Sequence, residues 1–332
     1  MNIAIVGCGL IGNKRAKAVD RDDAVVAAAD TNLQRAKQLA SAHPTCTIVE
    51  SDWRQIVSRP DVHAVVVATT NDQLAPITLA AIGAGKHVLV EKPAARNAAE
   101  LEPVVAAAAE RAKVTVKVGF NHRCHPAMLK AREILDGGAL GPLMFLRGRY
   151  GHGGRRGMET EWRGNAQVSG GGEMLDQGVH LVDLARWYLG DFADVQGHVG
   201  TYFWNWAVDD NGFAMLRTAQ NRVAWLHASC TEWKNLFSLE IYGRDGKLAV
   251  DGLGGSYGVE RLAFYKMLPE MGPPPTTIWE YPGEDKSWHV EWQQFKEAAA
   301  TGATPASGNL HDALAALRII GRLYEVSGFK PR

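Results

Sequence analysis

Three side chains in this sequence have the types that a coupled proton and hydride transfer needs. Lys92, in Glu91-Lys92-Pro93, follows the apolar run His87-Val88-Leu89-Val90. It therefore stands at the end of an expected strand, where a proline constrains the backbone that leaves it. An ammonium there can polarise a substrate hydroxyl or help to deprotonate it. Asp176 and His180 are four residues apart in Gly170-Gly171-Gly172-Glu173-Met174-Leu175-Asp176-Gln177-Gly178-Val179-His180, on one face of an expected helix. A carboxylate beside an imidazole orients it, favours its protonated form and can relay its proton. An alcohol oxygen must lose a proton as its carbon loses a hydride, and such a pair can accept it. An isolated D-x-x-x-H is ordinarily a surface ion pair. The preceding glycines and the embedded Gly178 weigh for a site, because glycine within a helix costs about 1 kcal/mol relative to alanine. Close approach of a ligand would account for that cost.

The elements that must position these groups begin at the N-terminus. Ile3-Ala4-Ile5-Val6 is apolar without alternation, as in a strand buried on both faces. It runs into Gly7-Cys8-Gly9-Leu10-Ile11-Gly12 and then into residues of helical composition. Gly7 permits a tight strand-to-helix turn, Gly9 lets backbone approach a pyrophosphate, and Gly12 lets helix pack closely on strand. Leu10 and Ile11 belong to the same turn, and the helix offers free N–H groups to phosphates. A second apolar strand, Val25 to Ala29, ends in Asp30, which can bond the ribose hydroxyls of NAD. A 2′-phosphate would be repelled there, which makes NADP the minority option, kept open by Lys14 and Arg35. Ligands of open α/β sheets bind beyond the carboxyl ends of the strands. Thr69-Thr70-Asn71 and Glu91-Lys92-Pro93 fall there beside the glycine turn.

Residues 1–120 alternate strand and helix, which predicts an α/β Rossmann domain with a parallel, doubly wound sheet. In it, Asn97 and Glu100 predict a capping box, and a helix is expected over 77–84. Residues 121–332 predict an α+β domain with a large, mostly antiparallel sheet for substrate binding and oligomerisation. One helix is expected over 170–189, turns at Asn211-Gly212, Gln220-Asn221 and Arg244-Asp245-Gly246, and irregular chain over 259–280. Helices over 288–300 and 310–326 close the chain, the last returning toward the first domain. Tyr202, Phe203, Trp204, Trp206, Trp225 and Trp233 make a solvent-exposed sheet face implausible, so that face is expected to meet another subunit. Arg123, just after the last Rossmann strand, and Trp162 and Arg163, in the loop over 151–168, are candidate substrate contacts. His122 and His125 have no acidic or thiolate ligand placed with them, so no metal site is expected.

Bulk composition agrees with two soluble domains. The chain has 332 residues, 46% hydrophobic and 22% charged, with 36 basic residues against 36 acidic ones. A neutral balance gives no reason to expect nucleic acid or an anionic membrane as partner. Cys8, Cys46, Cys124 and Cys230 are widely spaced, as thiols in a reducing compartment are. With no basic lead or long apolar run at the start, a cytoplasmic protein is expected.

The glycine turn, Glu91-Lys92-Pro93, and Gly171-Gly172 followed by Asp176-x-Gly178-x-His180 together resemble the Gfo/Idh/MocA oxidoreductases, which include glucose–fructose oxidoreductase and inositol dehydrogenase. The resemblance covers nearly the whole chain, and it is the combination that is specific. It implies Lys92, Asp176 and His180 as catalytic, with His180 the acid/base and Lys92 steering the substrate hydroxyl. It also implies that Glu91 and Thr69 to Asn71 line the cofactor. Many relatives carry a histidine where this chain has Leu74. Sugars, nucleotide sugars and cyclitols are the substrates implied, and homodimers or homotetramers the assembly. Two other activities occur among such proteins: glycoside hydrolysis through transient oxidation by bound NAD, and non-catalytic regulation. Retention of Lys92, Asp176 and His180 together speaks against the second.

Overall fold

The computed structural model describes residues 1–270 and 272–331. It divides into two compact units: Met1–Phe120 with Trp288–Ala315, and Asn121–Ser287 with the chain from Ala316 onward. Trp288–Ala315, from the stretch expected as the second domain with its last helix returning toward the first, groups with the first unit.

The first unit is a parallel sheet of six strands in the order β3-β2-β1-β4-β5-β6. They are β1 (Asn2–Val6), β2 (Ala24–Ala29), β3 (Ile48–Glu50), β4 (Ala64–Val67), β5 (His87–Glu91) and β6 (Val116–Gly119). Between them run α1 (Leu10–Ala18), α2 (Leu33–Ala42), α3 (Arg54–Val57), α4 (Asn71–Gly83) and α5 (Ala98–Ala109). The apolar runs form the central strands because helices cover both faces. Asn97 caps α5 by accepting the Glu100 N–H at 3.0 Å. The Glu100 carboxylate bonds the N–H of Arg96 rather than that of the cap residue. Helix α4 starts at Asn71, six residues before the start expected. Pro76 lies in its second turn, where burial of Leu74, Ala75 and Ile77 offsets the single bond a proline removes.

The regrouped segment follows from α10 (Ser287–Thr301). Trp292 and Phe295 pack into the core formed by Ile3, Ile5, Val66 and Leu89. Arg15 of α1 is buried between two carboxylates, Glu91 at the end of β5 (2.6 Å from Nε) and Glu291 of α10 (2.5 Å from Nη1). Burial works against its charge, but the two carboxylates more than offset this and hold the guanidinium above its ordinary pKa.

The second unit begins with a 3-10 turn (Asn121–Cys124) and α6 (Pro126–Asp136), which lead into β7 (Leu143–Gly151). After β7 come the short helices α7 (Ala166–Ser169) and α8 (Glu173–Asp176), then α9 (Gly178–Leu189). The strands that follow are β8 (Phe192–Gly200), β9 (Asn211–Thr218), β10 (Val223–Ser229), β11 (Leu236–Gly243), β12 (Gly246–Asp251), β13 (Glu260–Lys266) and β14 (Thr276–Tyr281). Helix α11 (Leu310–Ser327) is shared between the units, divided after Ala315. The sheet order is β14-β13-β12-β11-β7-β10-β9-β8. Among the described residues, only the β7–β10 pair of this sheet is parallel. A Cβ on Gly148 of β7 would stand 3.1–3.2 Å from Leu239, Leu181 and Leu226, so glycine lets α9 lie close on the sheet.

Four local expectations fail. Asn211-Gly212 is not a turn but the start of β9, and Gly212 lacks a side chain because one would meet Met174 Sδ at 2.8 Å. The stretch over 259–280 holds a paired hairpin, β13 with β14. The helix over 170–189 breaks at Gln177 into α8 and α9. Tyr202 to Trp206 lie between β8 and β9, and Trp233 between β10 and β11, so that Trp225 alone of the six aromatics is on the sheet.

Candidate functional site

In the first unit the glycine turn is built for close approach. Gly7 has φ +90°, and a Cβ there would run into the Ala68 carbonyl. A Cβ on Gly12 would overlap the Gly7 carbonyl. Gly9 differs: nothing lies within 4 Å of where its side chain would be. Helix α1 starts there without a side-chain cap or an acidic residue in its first turn. Asp30 secures the turn, accepting the Cys8 N–H on Oδ2 and the Asn32 N–H on Oδ1, both at 2.8 Å. Burial, with Asp30 beside it, pushes the Cys8 thiol up to about 12. Beyond β4, the Thr70 hydroxyl donates to Asp72 at 2.6 Å and fixes the start of α4 beside Thr69 and Asn71. Glu91 is held by Arg15, and half-buried Lys92 follows it.

In the second unit His180 occupies the first turn of α9, 4% exposed. Its ring lies flat on that of His122, with centroids 3.7 Å apart and planes within 17°. Tyr150 at the end of β7 stands edge-on to both rings. Burial lifts its hydroxyl well above the usual tyrosine range, and it sits beside Tyr257. Arg123 clasps Asp183 of α9 at 2.7 and 2.5 Å, which makes it a buried strut. Arg163 donates from Nε to Asp176 Oδ2 at 2.9 Å, and its guanidinium lies 4.5 Å over the Trp162 ring. The Asp176 carboxylate holds Arg163 above its ordinary pKa. Trp162, Arg163 and Asp176 therefore form one group, although thirteen residues separate the ion pair.

His152 and Glu173 join that neighbourhood without having been singled out. His152 Nε2 is 3.6 Å from the buried Glu173 carboxylate, and burial lowers the histidine's pKa. Their only sequence signal is position, one in the glycine-rich loop and the other inside the glycine-led segment. The glycines of that segment have a different cause from the one expected. A Cβ on Gly172 would overlap the Asp209 carbonyl, and one on Gly178 would meet Met174 Sδ at 2.7 Å. Asp209, wholly buried, accepts from the N–H groups of Gly172 and Met174 at 2.8 and 2.7 Å and from the Tyr324 hydroxyl at 2.6 Å. Protein, not ligand, fills the space these glycines leave.

Comparison with known proteins bears on both units. Residues 1–120 match the model of an oxidoreductase family with an NAD-binding Rossmann fold, and residues 128–249 match the GFO/IDH/MocA C-terminal domain. The chain belongs to the GFO/IDH/MocA family. It is 31% identical over 200 residues to inositol 2-dehydrogenase of Gluconacetobacter diazotrophicus, covering 59% of this chain and 57% of that one. It is 30% identical over 261 residues to dTDP-3,4-didehydro-2,6-dideoxy-alpha-D-glucose 3-reductase of Streptomyces violaceoruber, covering 76% and 72%. The match to the first curated relatives spans about 57% of their length. A solved structure of levoglucosan dehydrogenase in complex with NADH shares the fold, with a TM-score of 0.89, 23% identity, and coverage of 99% of this chain and 97% of that one.

As a GFO/IDH/MocA N-terminal domain, the first unit is NAD-binding, and its residues fit the group. Gly9 opens onto free space, and α1 presents uncapped N–H groups suited to a pyrophosphate. Each Asp30 oxygen accepts a backbone N–H, Oδ2 from Cys8 and Oδ1 from Asn32, and keeps lone-pair capacity for a ribose hydroxyl. Lys14 lies 5.2 Å over the Trp288 ring. In the second unit, His180 lies against His122, and His152 and Glu173 lie near the Arg163–Asp176 pair. All four cysteines are free and buried, and no helix among the described residues is long and apolar enough to cross a membrane.

Proposed function

We propose that this protein is an NAD-dependent dehydrogenase or reductase acting on a hydroxyl or ketone carbon of a sugar, nucleotide sugar or cyclitol. Bound NAD supplies the hydride acceptor or donor at nicotinamide C4. His180 takes the hydroxyl proton during oxidation and returns it during reduction, while Lys92 steers the hydroxyl. Asp176, paired with Arg163 beside Trp162, orders the polar side of the substrate position. Gly7, Gly9, Leu10, Ile11 and Gly12 hold the pyrophosphate, Asp30 the ribose, and Thr69, Thr70 and Asn71 the approach to the nicotinamide. Glu91 acts through Arg15 by fixing the strand end from which Lys92 projects. Arg123 passes from substrate contact to support of α9.

The observation that carries this proposal is His180: a buried imidazole at the start of a helix, framed by His122 and Tyr150, in a chain whose other unit is an NAD-binding fold. Relatives named for inositol and for a nucleotide sugar support the substrate class. Incubation with NAD and a panel of cyclitols, free sugars and nucleotide sugars, following NADH absorbance and glycoside cleavage separately, tests it. NADH formation without cleavage is expected. Cleavage without net NADH would favour the hydrolase, and neither would favour a regulator.

Assembly as a homodimer or homotetramer through the open sheet face belongs to the same proposal. Phe145, Met215, Trp225 and Ile278 are all exposed on that sheet, which supports it. A cytoplasmic location is consistent with the free thiols.

A further inference from the structure

The 3-10 turn Asn121–Cys124 does more than connect the two units. Arg123 grips Asp183 of α9 through two hydrogen bonds, and the adjacent His122 lays its ring on His180 of the same helix. Both imidazoles are buried, at 6% and 4% exposure. His122 is itself supported. Its Nδ1 is 3.3 Å from Asn121 Oδ1, and the Asn121 amide donates to Ser287 Oγ at 2.9 Å. His125 stands edge-on at 5.7 Å and is tied to Glu260 at 2.9 Å. Tyr150 and Phe237 also stand edge-on to the His122 ring, at 5.1 and 6.0 Å.

We propose that His122 is a positioning residue for His180: the stack holds the plane of the reacting imidazole and keeps the pair from carrying two protons. Rings lying face to face direct their N–H bonds in-plane, so no proton passes through the stack. What passes is orientation and charge. Two imidazolium rings with centroids 3.7 Å apart repel enough, even at the dielectric constant of water, to displace a titration by about one pH unit. Among the other ionisable groups, Tyr150 of β7 stands edge-on to His180 and has Tyr257, Glu173 and Asp176 near it, the Arg123–Asp183 pair lies on α9, and His125 and Glu260 lie behind His122. Of these, His122 is the one stacked on the His180 ring. A proton shared over the pair leaves His180 partly neutral to lower pH, so its capacity as a base in oxidation extends downward.

The consequence for turnover rests on the proposed oxidoreductase activity; the coupling itself does not, and NMR can read it without turnover. The His180 imidazole resonance, assigned with H180N, is titrated in wild type and in H122F, which keeps a flat ring and removes the charge. The wild-type titration is expected to spread over two coupled steps, and the H122F titration to be a single step centred about one pH unit higher. The acid limb of kcat/KM for oxidation should move upward with it. H122A, which removes the stack, should lower kcat about tenfold with NAD affinity unchanged, and H122F should restore most of it. Identical His180 titrations in wild type and H122F, or wild-type kcat in H122A, overturns the proposal. Wild-type turnover in H180A would instead overturn the acid/base role of His180 and leave the titration result standing.

Discussion

Two glycine-rich segments, one in each unit, look alike as sequence and differ in what they make room for. At Gly9 the missing side chain leaves open space next to an uncapped helix start. At Gly172 and Gly178 the missing side chains leave room for Asp209 and Met174 of the same unit. The first segment is a surface prepared for an outside group. The second is a packed scaffold that delivers Asp176 and His180 to their places. Glycine spacing alone does not separate these cases, because both need close backbone approach; what differs is what approaches.

The contrast can be broken most severely at the scaffold of the first unit. Arg15→Ala would strand Glu91 and Glu291 in the interior without their cation, and should destabilise the protein by about 3–5 kcal/mol in denaturant unfolding. A loss below about 1 kcal/mol would mean that the guanidinium does not carry that junction.

The glycines themselves provide the sharper comparison. Gly172→Ala forces a methyl against the Asp209 backbone and should cost about 1–3 kcal/mol of stability. Gly9→Ala should leave stability within about 1 kcal/mol and weaken NAD binding on the order of tenfold, measured by titrating NAD into the cofactor-free protein. Equal effects of the two on stability would erase the distinction. The smallest effect is expected at Arg163→Ala. The side chain is 41% exposed, so stability should change by less than about 1 kcal/mol, while the KM for the polyol rises and NAD affinity holds. An unchanged KM would remove Arg163 from the substrate position.

The first unit was legible because its information is local. Unbroken apolar runs such as Ile3 to Val6 and Ala64 to Val67 specify strands buried on both faces, and the glycine turn and Asp30 follow their strands directly. The second unit resisted where tertiary contacts outvoted local signals. Asn211-Gly212 is a good turn pair, but pairing with β10 and the bulk of Met174 make it strand. The prolines at 273–275 disguised the β13–β14 hairpin, since they lie in its connection rather than in its strands. The Asp176 to His180 spacing located two candidate residues, although a break at Gln177 replaces the continuous helix assumed between them. His122 and His152 meet His180 and Glu173 across separations that no local pattern encodes.

The account turns on His180 as the group that exchanges the substrate proton. Its most direct test is the His180→Ala variant, with turnover on the best substrate of the panel and NAD affinity measured on the same preparation. The expected result is a fall in kcat of about 10²–10⁴-fold, the range for loss of a positioned general acid/base, with NAD binding unchanged. Turnover within a few-fold of wild type, or loss of NAD binding with the remaining chemistry intact, would contradict it.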